Sequence, residues 1–342
     1  MTTRKDIAER LGVSVSVVSR ALNDSGYVQS EKRRQILETA REMGYVREPA
    51  ALRRVKRSCR QIIFCCRYLR NPFYVELYNG ILDAAQESGY RVFMTPLIDK
   101  SLDLSIADGV IFVDESNAYA VLDSLERRPS VPAVTAAFGE HLRMPYPIAI
   151  IECDLWKGTE ALIRYLRSRG HHRIAMVSPY GIGMNNTRGI AWRACMESEL
   201  AERVPDYYFE VLEHSPLAMD AGVASAFDGF FENGVYGAEL FIESGCDATA
   251  VICFNEEMGL GFCSELRRRG KRIPEDLSVV SYDGTFMRNH HELPLTVLDL
   301  HPAWMGRECF RVLKQAMAGE RVRHVTIQPV DILEGATVRP LS

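Results

Sequence analysis

The sequence predicts a small all-α helix-turn-helix head followed by an α/β core of two doubly wound parallel-sheet lobes. Three observations support this fold class: a two-helix spacing in residues 4–23, a basic N-terminal end, and alternating strand and helix patterns from residue 61 onward. Residues 1–60 contain 14 Lys and Arg against 7 Asp and Glu, whereas the remaining residues contain 27 against 38. Because basic side chains neutralise phosphates, this separation predicts that the head contacts nucleic acid and that the acidic core does not.

The stretch RKDIAERLGVSVSVVSRALN has the spacing of two short helices around a tight turn. The first helix is predicted to start at Thr3, and Gly12 permits the turn over residues 12–14. Ser14 caps a second helix over residues 15–22. The inner faces are predicted to hold Ile7, Ala8, Leu11, Val13, Val18, Ala21 and Leu22. The outer face of the second helix holds Val15, Ser16, Ser19 and Arg20, and it fits a major groove.

A third helix is predicted from Glu31 to Met43, with Ser30 as its cap. Its inner face is predicted to hold Ile36, Leu37 and Ala40. A short helical hairpin without a DNA role is the alternative to a DNA-reading head. The spacing of Ala8, Gly12 and Val18 together with two caps favours the head.

The composition predicts a soluble, cytoplasmic protein without cofactors. A chain of 342 residues with 47% apolar composition has room for a head and one or two α/β domains. No segment approaches the roughly 18 uninterrupted apolar residues of a membrane span, and MTTRKDIAERL lacks a signal core. The nine cysteines include no C-x2-C pair and lie in apolar contexts. They are therefore expected to be reduced core residues and not zinc ligands.

A basic segment, REPAALRRVKRSCR, links the head to the core. Its density of like charge predicts a hinge that becomes helical only when phosphates neutralise it, with an ordinary basic linker as the alternative. The predicted domain boundaries are 1–46 for the head, 47–60 for the hinge and 61–342 for the core.

Nine apolar runs follow residue 61, separated by amphipathic stretches, which is the pattern of parallel sheets with covering helices. The runs are IIFCC, YRVFM, GVIFV, AVTAAF, IAII, RIAMVS, YYFEVL, TAVICF and LSVVSY. Helices are predicted at 73–88, 155–168, 188–201, 258–269 and 302–318. So many βα units favour two lobes, with a ligand cleft at the carboxyl ends of their strands.

These segments together resemble the LacI/GalR family of bacterial transcription regulators over nearly the whole chain. DIAERLGVSVSVVSRALN is similar to the family's head pattern. The stretches NPFYVELYNGILDAAQESGYRV, GHHRIAMVS and IPEDLSVVSYDG, with LPLTVL after the last, resemble successive parts of the family core. The resemblance implies a periplasmic-binding-protein-like core that dimerises. It also implies a repressor that binds double-stranded DNA at a pseudo-palindromic operator and responds to a sugar or another polar metabolite.

The resemblance assigns DNA contacts one position at a time. Val15, Ser16 and Arg20 are the implied base-edge readers, and the phosphate contacts are Thr3, Ser14, Ser19 and Asn23. The predicted DNA-binding set is completed by Tyr27 and Arg54. Arg20 can fork onto guanine, with a phosphate contact as its alternative. Val17 stands where the family usually has Thr. Arg54 replaces the hinge Leu, which argues against a leucine wedge in the minor groove, with Leu52 or Val55 in a shifted register as the alternative.

The resemblance also implies an effector site. Arg188 would hold a polar ligand group, Asp283 would accept ligand hydroxyls or amines, and Asn255 would donate and accept. Phe73 and Tyr74 would lie against a ligand ring. The alternatives are that Arg188 and Asp283 only bridge the lobes and that Phe73 or Tyr74 belongs to the core.

Three departures from the family pattern affect the expected ligand. Leu300 replaces a family glutamine, Ala137 replaces a polar residue, and the residues between Pro96 and Asp108 are too few for the helix expected there. The cleft is therefore expected to suit a heavily hydroxylated sugar poorly.

Two other function classes remain open on sequence grounds. One is a DNA-binding regulator whose core responds to a protein partner. The other is an enzyme on a doubly wound fold, but the sequence contains no G-x-G-x2-G, P-loop or G-x-S-x-G motif. The adjacent pairs His171–His172 and His290–His291 would point apart on a strand, so neither catalysis nor a metal site is expected. The lack of a leucine-heptad tail after RPLS favours a homodimer.

Overall fold

The computed structural model describes residues 4–23, 28–43, 59–66, 69, 71–96, 104–125, 129–139, 142–181, 186–211, 229–289 and 292–341. The chain divides into two compact units, Met1–Arg57 and Ser58–Ser342. Within these described ranges, the first unit contains three helices, and the second contains two six-stranded sheets with their helices. Among the described residues, no helix combines the length and the apolar composition needed to cross a membrane.

The head consists of α1 (Arg4–Leu11), α2 (Val15–Asn23) and α3 (Ser30–Glu42). Gly12 has a φ of 60°, which lets the chain turn so that the Val13 amide donates to the Ala8 carbonyl at 3.0 Å. Ser14 caps α2, since its Oγ accepts from the Val17 amide at 3.4 Å. The buried core of the head is Ile7, Ala8, Val18, Ala21, Leu22, Ile36 and Ala40.

One predicted core residue of the head is exposed. Leu37, expected on the inner face of α3, is 47% exposed. Successive residues of a helix are rotated by about 100°, so Leu37 lies outside the buried stripe that contains Ile36 and Ala40. The predicted start of α1 at Thr3 lies outside the described residues.

The first lobe is built on a sheet with the strand order β11-β5-β4-β3-β1-β2, all of whose pairs are parallel. Its strands are β1 (Gln61–Cys65), β2 (Arg91–Thr95), β3 (Gly109–Phe112), β4 (Ala133–Ala137), β5 (Ala149–Cys153) and β11 (Val325–Gln328). The helices that pack on it are α4 (Pro72–Glu87), α5 (Glu115–Ser124) and α10 (Pro302–Met317).

The second lobe repeats this arrangement with the strand order β12-β10-β9-β8-β6-β7, in which only the β10–β12 pair is antiparallel. Its strands are β6 (Ile174–Ser178), β7 (Tyr208–Glu210), β8 (Ala250–Cys253), β9 (Ser278–Asp283), β10 (Thr296–Asp299) and β12 (Asp331–Leu333). Its helices are α6 (Leu155–Ser168), α7 (Thr187–Leu200), α8 (Phe230–Glu243) and α9 (Glu256–Arg268). The predicted fold class of two doubly wound lobes is confirmed.

All nine predicted strands and all five predicted core helices are present, as β1 to β9 and as α4, α6, α7, α9 and α10. Continuous apolar runs identified the strands because both faces are covered: β3, β8 and β9 are buried along their whole lengths. Between β2 and β3 the described residues contain only a 3-10 turn at Leu104–Ile106.

The chain passes between the lobes after β5, after β10 and after β11. Helix α10, which follows a strand of the second lobe, packs closely on α4 of the first. A Cβ added at Gly306 would lie 2.0 Å from the Leu77 carbonyl oxygen, so a glycine is needed at this crossing. These crossovers interlock the two lobes and place the carboxyl ends of their strands opposite each other.

Candidate DNA-reading surface and ligand cleft

The exposed face of α2 is formed at its N-terminal end. Ser14, Val15, Ser16 and Arg20 are exposed, and Val15 is an apolar side chain that is 46% exposed. The hydroxyls of Ser14 and Ser16 lie 2.9 Å apart, and Arg20 Nε donates to the Ser16 carbonyl at 3.4 Å. The first two turns of a helix in such a motif are the part that enters a major groove.

The other predicted DNA contacts are less exposed or not described. Ser19 is half-buried and Asn23 is the last residue of α2. Thr3, Tyr27 and Arg54 lie outside the described residues. Val17 is half-buried and packs against the core of the head, so it supports α2 from within.

The two lobes meet across the carboxyl ends of their strands. Thr187, at the start of α7, donates its hydroxyl to the Gly139 carbonyl, which follows β4. The Phe286 amide, which follows β9, donates to Glu76 Oε1 of α4 at 2.7 Å. These contacts define a cleft between the lobes at the position that the doubly wound fold predicts.

Arg188 and Asp283 lie together at the second-lobe side of this cleft. They are 7% and 5% exposed, and Arg188 Nη2 is 3.7 Å from Asp283 Oδ1. The guanidinium lies 4.2 Å from the ring centre of Phe254 and 4.9 Å from that of Tyr282. In the part of the chain that the structure describes, Arg188 Nε has no hydrogen-bond partner. Both residues belong to the second lobe, so their ion pair does not bridge the lobes.

Asp283 is held in an unusual backbone conformation. Its φ of 104° lies in a region that side chains other than glycine rarely adopt, which is a form of strain found at binding sites. Burial raises the pKa of its carboxyl group, whereas Arg188 lowers it. Oδ2 accepts from the Glu256 amide at a long 3.4 Å. The Asp283 carboxylate therefore keeps capacity to accept hydrogen bonds.

Asn255 is buried and caps α9, where its Oδ1 accepts from the Met258 amide at 2.9 Å. Its oxygen is thus used by the helix. Within the described part of the chain its amide nitrogen has no partner, so donation is the role left for a ligand.

Phe73 and Tyr74 differ in their surroundings. Phe73 is 3% exposed and meets the Phe138 ring edge to face, with 5.2 Å between ring centres. Tyr74 is half-buried and donates its hydroxyl to Asp114 Oδ2 at 2.8 Å. Burial, Asp114 and Tyr180 of the second lobe raise the pKa of Tyr74. Tyr74 thus reaches the cleft, whereas Phe73 belongs to the hydrophobic core beneath it.

Two adjacent carboxyl groups at the start of α9 have strongly raised pKa values. Burial and the nearby Asp283 raise the pKa of Glu256 to about 8, and burial, Asp283 and Glu232 raise the pKa of Glu257 to about 7. Glu256 Oε2 accepts from the Thr285 amide at 2.8 Å, whereas Oε1 has no hydrogen-bond partner among the described residues. No group of His, Cys, Asp and Glu side chains in the described residues is arranged to hold a metal ion.

In comparison with known proteins, each of the two units matches a family model. The model of the bacterial regulatory proteins of the lacI family matches residues 3–48, and the periplasmic binding protein-like domain matches residues 163–338. The chain belongs to the lacI family of bacterial regulatory proteins. It is a DNA-binding transcriptional regulator, as the match of its N-terminal unit indicates. Its curated relatives carry the names of transcriptional repressors and regulators.

Curated relatives match this LacI-family regulator along almost its full length. The HTH-type transcriptional repressor CytR of Escherichia coli K12 is 26% identical over 332 residues, covering 94% of this chain and 91% of the relative. The HTH-type transcriptional repressor PurR of Vibrio cholerae is 25% identical over 354 residues, covering 100% and 99%.

Solved structures support the same fold. The complex of the regulator CelR with cellobiose is 20% identical, with a TM-score of 0.62 over 98% of this chain and 100% of that one. A LacI family regulator from Enterococcus faecium with bound ribose is 20% identical, with a TM-score of 0.64 over 82% and 100%. The Lac repressor dimer bound to operator is 21% identical, with a TM-score of 0.61 over 99% of each chain.

Sequence reasoning missed several cleft residues of this LacI-family regulator. Asp114, Phe138, Tyr180 and Phe254 each follow a strand of the parallel sheets within two residues. The Tyr180 and Phe254 rings meet with 5.2 Å between centres, beside Arg188. The rule that ligands bind at the carboxyl ends of parallel strands would have selected all four positions from the predicted strands alone.

Proposed function

We propose that this chain is a cytoplasmic transcriptional repressor that binds a pseudo-palindromic operator as a homodimer, and that a small polar ligand in the cleft changes its operator affinity. Residues 1–46 read DNA, residues 47–60 link, and residues 61–342 bind the ligand and dimerise. The observation that carries this proposal is the buried, incompletely partnered pair of Arg188 and Asp283 at the cleft of a chain that also exposes a recognition helix.

In this proposal the exposed face of α2 enters the major groove. Arg20 reads guanine through its forked donors, while Val15 and Ser16 supply a methyl contact and one hydroxyl. The basic excess of residues 1–60 supplies the phosphate contacts that position the head.

Exposed apolar side chains support a homodimer. Phe93 and Met94, on the edge strand β2, are 51% and 50% exposed, and Ile106, which precedes β3, is 53% exposed. Exposed apolar groups of this size on one lobe are typical of an interface between subunits.

The ligand side of the proposal rests on unsatisfied polar groups. Arg188 would donate to a ligand oxygen, Asp283 would accept from a ligand hydroxyl or amine, and Asn255 would donate its amide. Related regulators have been solved with cellobiose and with ribose, which supports a small polar ligand here. Such a ligand acts only if it binds one arrangement of the lobes more tightly than the other.

The test has two arms. The protein should give a footprint on the DNA upstream of its own gene. Its affinity for this DNA should fall steeply as salt rises from about 50 to 200 mM. A metabolite screen by thermal shift should find a compound that raises the melting temperature.

An Arg188→Ala variant should lose that shift and the associated change in operator affinity. A flat salt response without a footprint contradicts DNA reading by the head. A footprint that no metabolite alters, but that a partner protein does, replaces the small-ligand mechanism with the protein-responsive one.

A further inference from the structure

We propose that Glu76 is a positioning residue that fastens the turn after Asp283 to the first lobe and so holds the two lobes in register. The inference extends the proposed function, because this turn begins with the proposed ligand contact Asp283. Its test below needs no ligand, so its failure would leave the proposed function untouched.

Two carboxyl groups, one from each lobe, accept hydrogen bonds from neighbouring amides of this turn. The Phe286 amide donates to Glu76 Oε1 at 2.7 Å, and Glu76 lies on α4 of the first lobe. The Thr285 amide donates to Glu256 Oε2 at 2.8 Å, and Glu256 opens α9 of the second lobe. Because consecutive amides are fixed from opposite sides, the turn cannot follow one lobe without breaking its bond to the other.

The turn has little room to absorb such a movement. Asp283 has a φ of 104°, a conformation that residues other than glycine rarely adopt, so few other backbone conformations are open to it there. A Cβ added at Gly284 would lie 2.3 Å from Asp299 Oδ1, which shows how closely the turn packs on β10. A displacement of Asp283 would therefore move the amides of Thr285 and Phe286 by nearly the same amount.

The same packing joins the turn to a crossover between the lobes. Asp299 ends β10, and its Oδ1 accepts from the His301 amide at 2.7 Å where the chain enters α10 of the first lobe. Burial and Asp299 raise the pKa of Glu76, while the Phe286 amide lowers it. Glu76 thus lies where the cleft, the turn and a crossover meet, and it is half-buried there.

The sharpest test compares Glu76→Ala with Glu76→Gln, because the glutamine retains an oxygen that can accept from the Phe286 amide. Asp83→Ala is the matched control. Asp83 lies on the same helix and pairs with Arg307 of α10 at 3.4 Å, away from the turn. All three variants are made in the full chain, and thermal unfolding checks that each one folds.

Two readouts are used. Hydrogen exchange of the peptide that spans residues 284–289 reports on the turn. Spin labels on keto amino acids at the exposed positions Asp123 of α5 and Ser264 of α9 report the distance between the lobes without modifying cysteines.

We expect Glu76→Ala to accelerate exchange of the turn roughly 10-fold or more, since a hydrogen bond to a charged acceptor is lost. The same variant should widen the distribution of distances between the labels. Glu76→Gln should restore both readouts largely, and Asp83→Ala should match the wild type. An unchanged label distance in Glu76→Ala overturns the proposal, as does a Glu76→Gln variant that behaves like Glu76→Ala.

Discussion

The proposed contact between Arg20 and a base can be tested by substitution of this residue. It is exposed on α2, and its guanidinium is not used in an ion pair with another described residue of the head. Arg20→Ala should cost about 1–3 kcal/mol of operator binding and relax the preference at one base pair. Arg20→Lys should restore little, because lysine lacks the forked donors. The measurement is a competition of single-base operator variants in a binding assay.

A matched control comes from the same unit. Arg34 is exposed on α3 and pairs with Glu31 at 2.6 Å and with Glu38 at 3.1 Å. Arg34→Ala should leave the base preference unchanged. If Arg20→Ala weakens binding equally to every operator variant, Arg20 contacts a phosphate and does not read a base.

Glu256 predicts an inverted pH dependence of stability. Burial and Asp283 raise its pKa to about 8, from an ordinary value of 4.5. Between these two values the unfolded chain has released the proton and the folded chain retains it. Stability therefore falls as pH rises through this window, by at most about 1.4 kcal/mol per pH unit from this group.

Glu256→Gln should remove that slope, because glutamine does not titrate and still offers an oxygen to the Thr285 amide. Denaturant unfolding of both proteins from pH 5 to pH 9 gives the difference, and the exposed Glu275→Gln serves as the control. A difference between wild type and Glu256→Gln that stays constant across this range would show that the Glu256 carboxyl group keeps an ordinary pKa.

At the scale of elements, the sequence is informative wherever burial alone sets the pattern. Strands that are covered on both faces appear in the sequence as continuous apolar runs. Helices with capping residues can be predicted from the residues at their ends. Helix α8 was not predicted: it begins after Gly229 without a side-chain cap, and it contains Gly234 and Gly237, which weaken a helix signal. A Cβ at Gly234 would lie 2.1 Å from the Met258 carbonyl oxygen, so the close crossing of α8 and α9 requires a glycine there.

The cleft was predictable only in part, because some of its contacts join residues that are far apart in the sequence. Its position follows from the strand ends, and Arg188, Asp283 and Asn255 lie beside it. The hydrogen bond from the Phe286 amide to Glu76 joins residues 210 positions apart, and no local sequence pattern predicts such a contact. Likewise, the raised pKa of Glu256 depends on burial and on Asp283, and Asp283 ends β9 whereas Glu256 begins α9.

Helix α3 provides a prediction at this scale, since one face of it was misassigned. Ile36 is fully buried and Leu37 is 47% exposed. Ile36→Ala should destabilise the head by about 2–4 kcal/mol, whereas Leu37→Ala should change its stability by no more than about 0.5 kcal/mol. Hydrogen exchange of α3 amides in the full chain measures both. Equal costs for the two substitutions would show that Leu37 is buried.

For the whole molecule, the two units differ in net charge, and this difference determines which of them contacts DNA. The basic end supplies a contact with DNA that is weak for a single head, and in the proposed homodimer two heads would bind as a linked pair. The acidic remainder, with 38 Asp and Glu against 27 Lys and Arg after residue 60, is repelled by the duplex. Operator affinity should therefore depend on the dimer interface as strongly as on the recognition helix.

This dependence predicts the effect of a charge at the proposed dimer surface. Phe93→Glu places a carboxylate on the exposed edge strand β2, where desolvation on association would be unfavourable. Sedimentation should show a shift from dimer to monomer, and affinity for a two-half-site operator should fall about 10²- to 10⁴-fold because linkage of the heads is lost. Trp156→Glu, at a 41% exposed site on α6, should change neither measurement. A Phe93→Glu protein that remains dimeric would place the subunit interface on another face of the core.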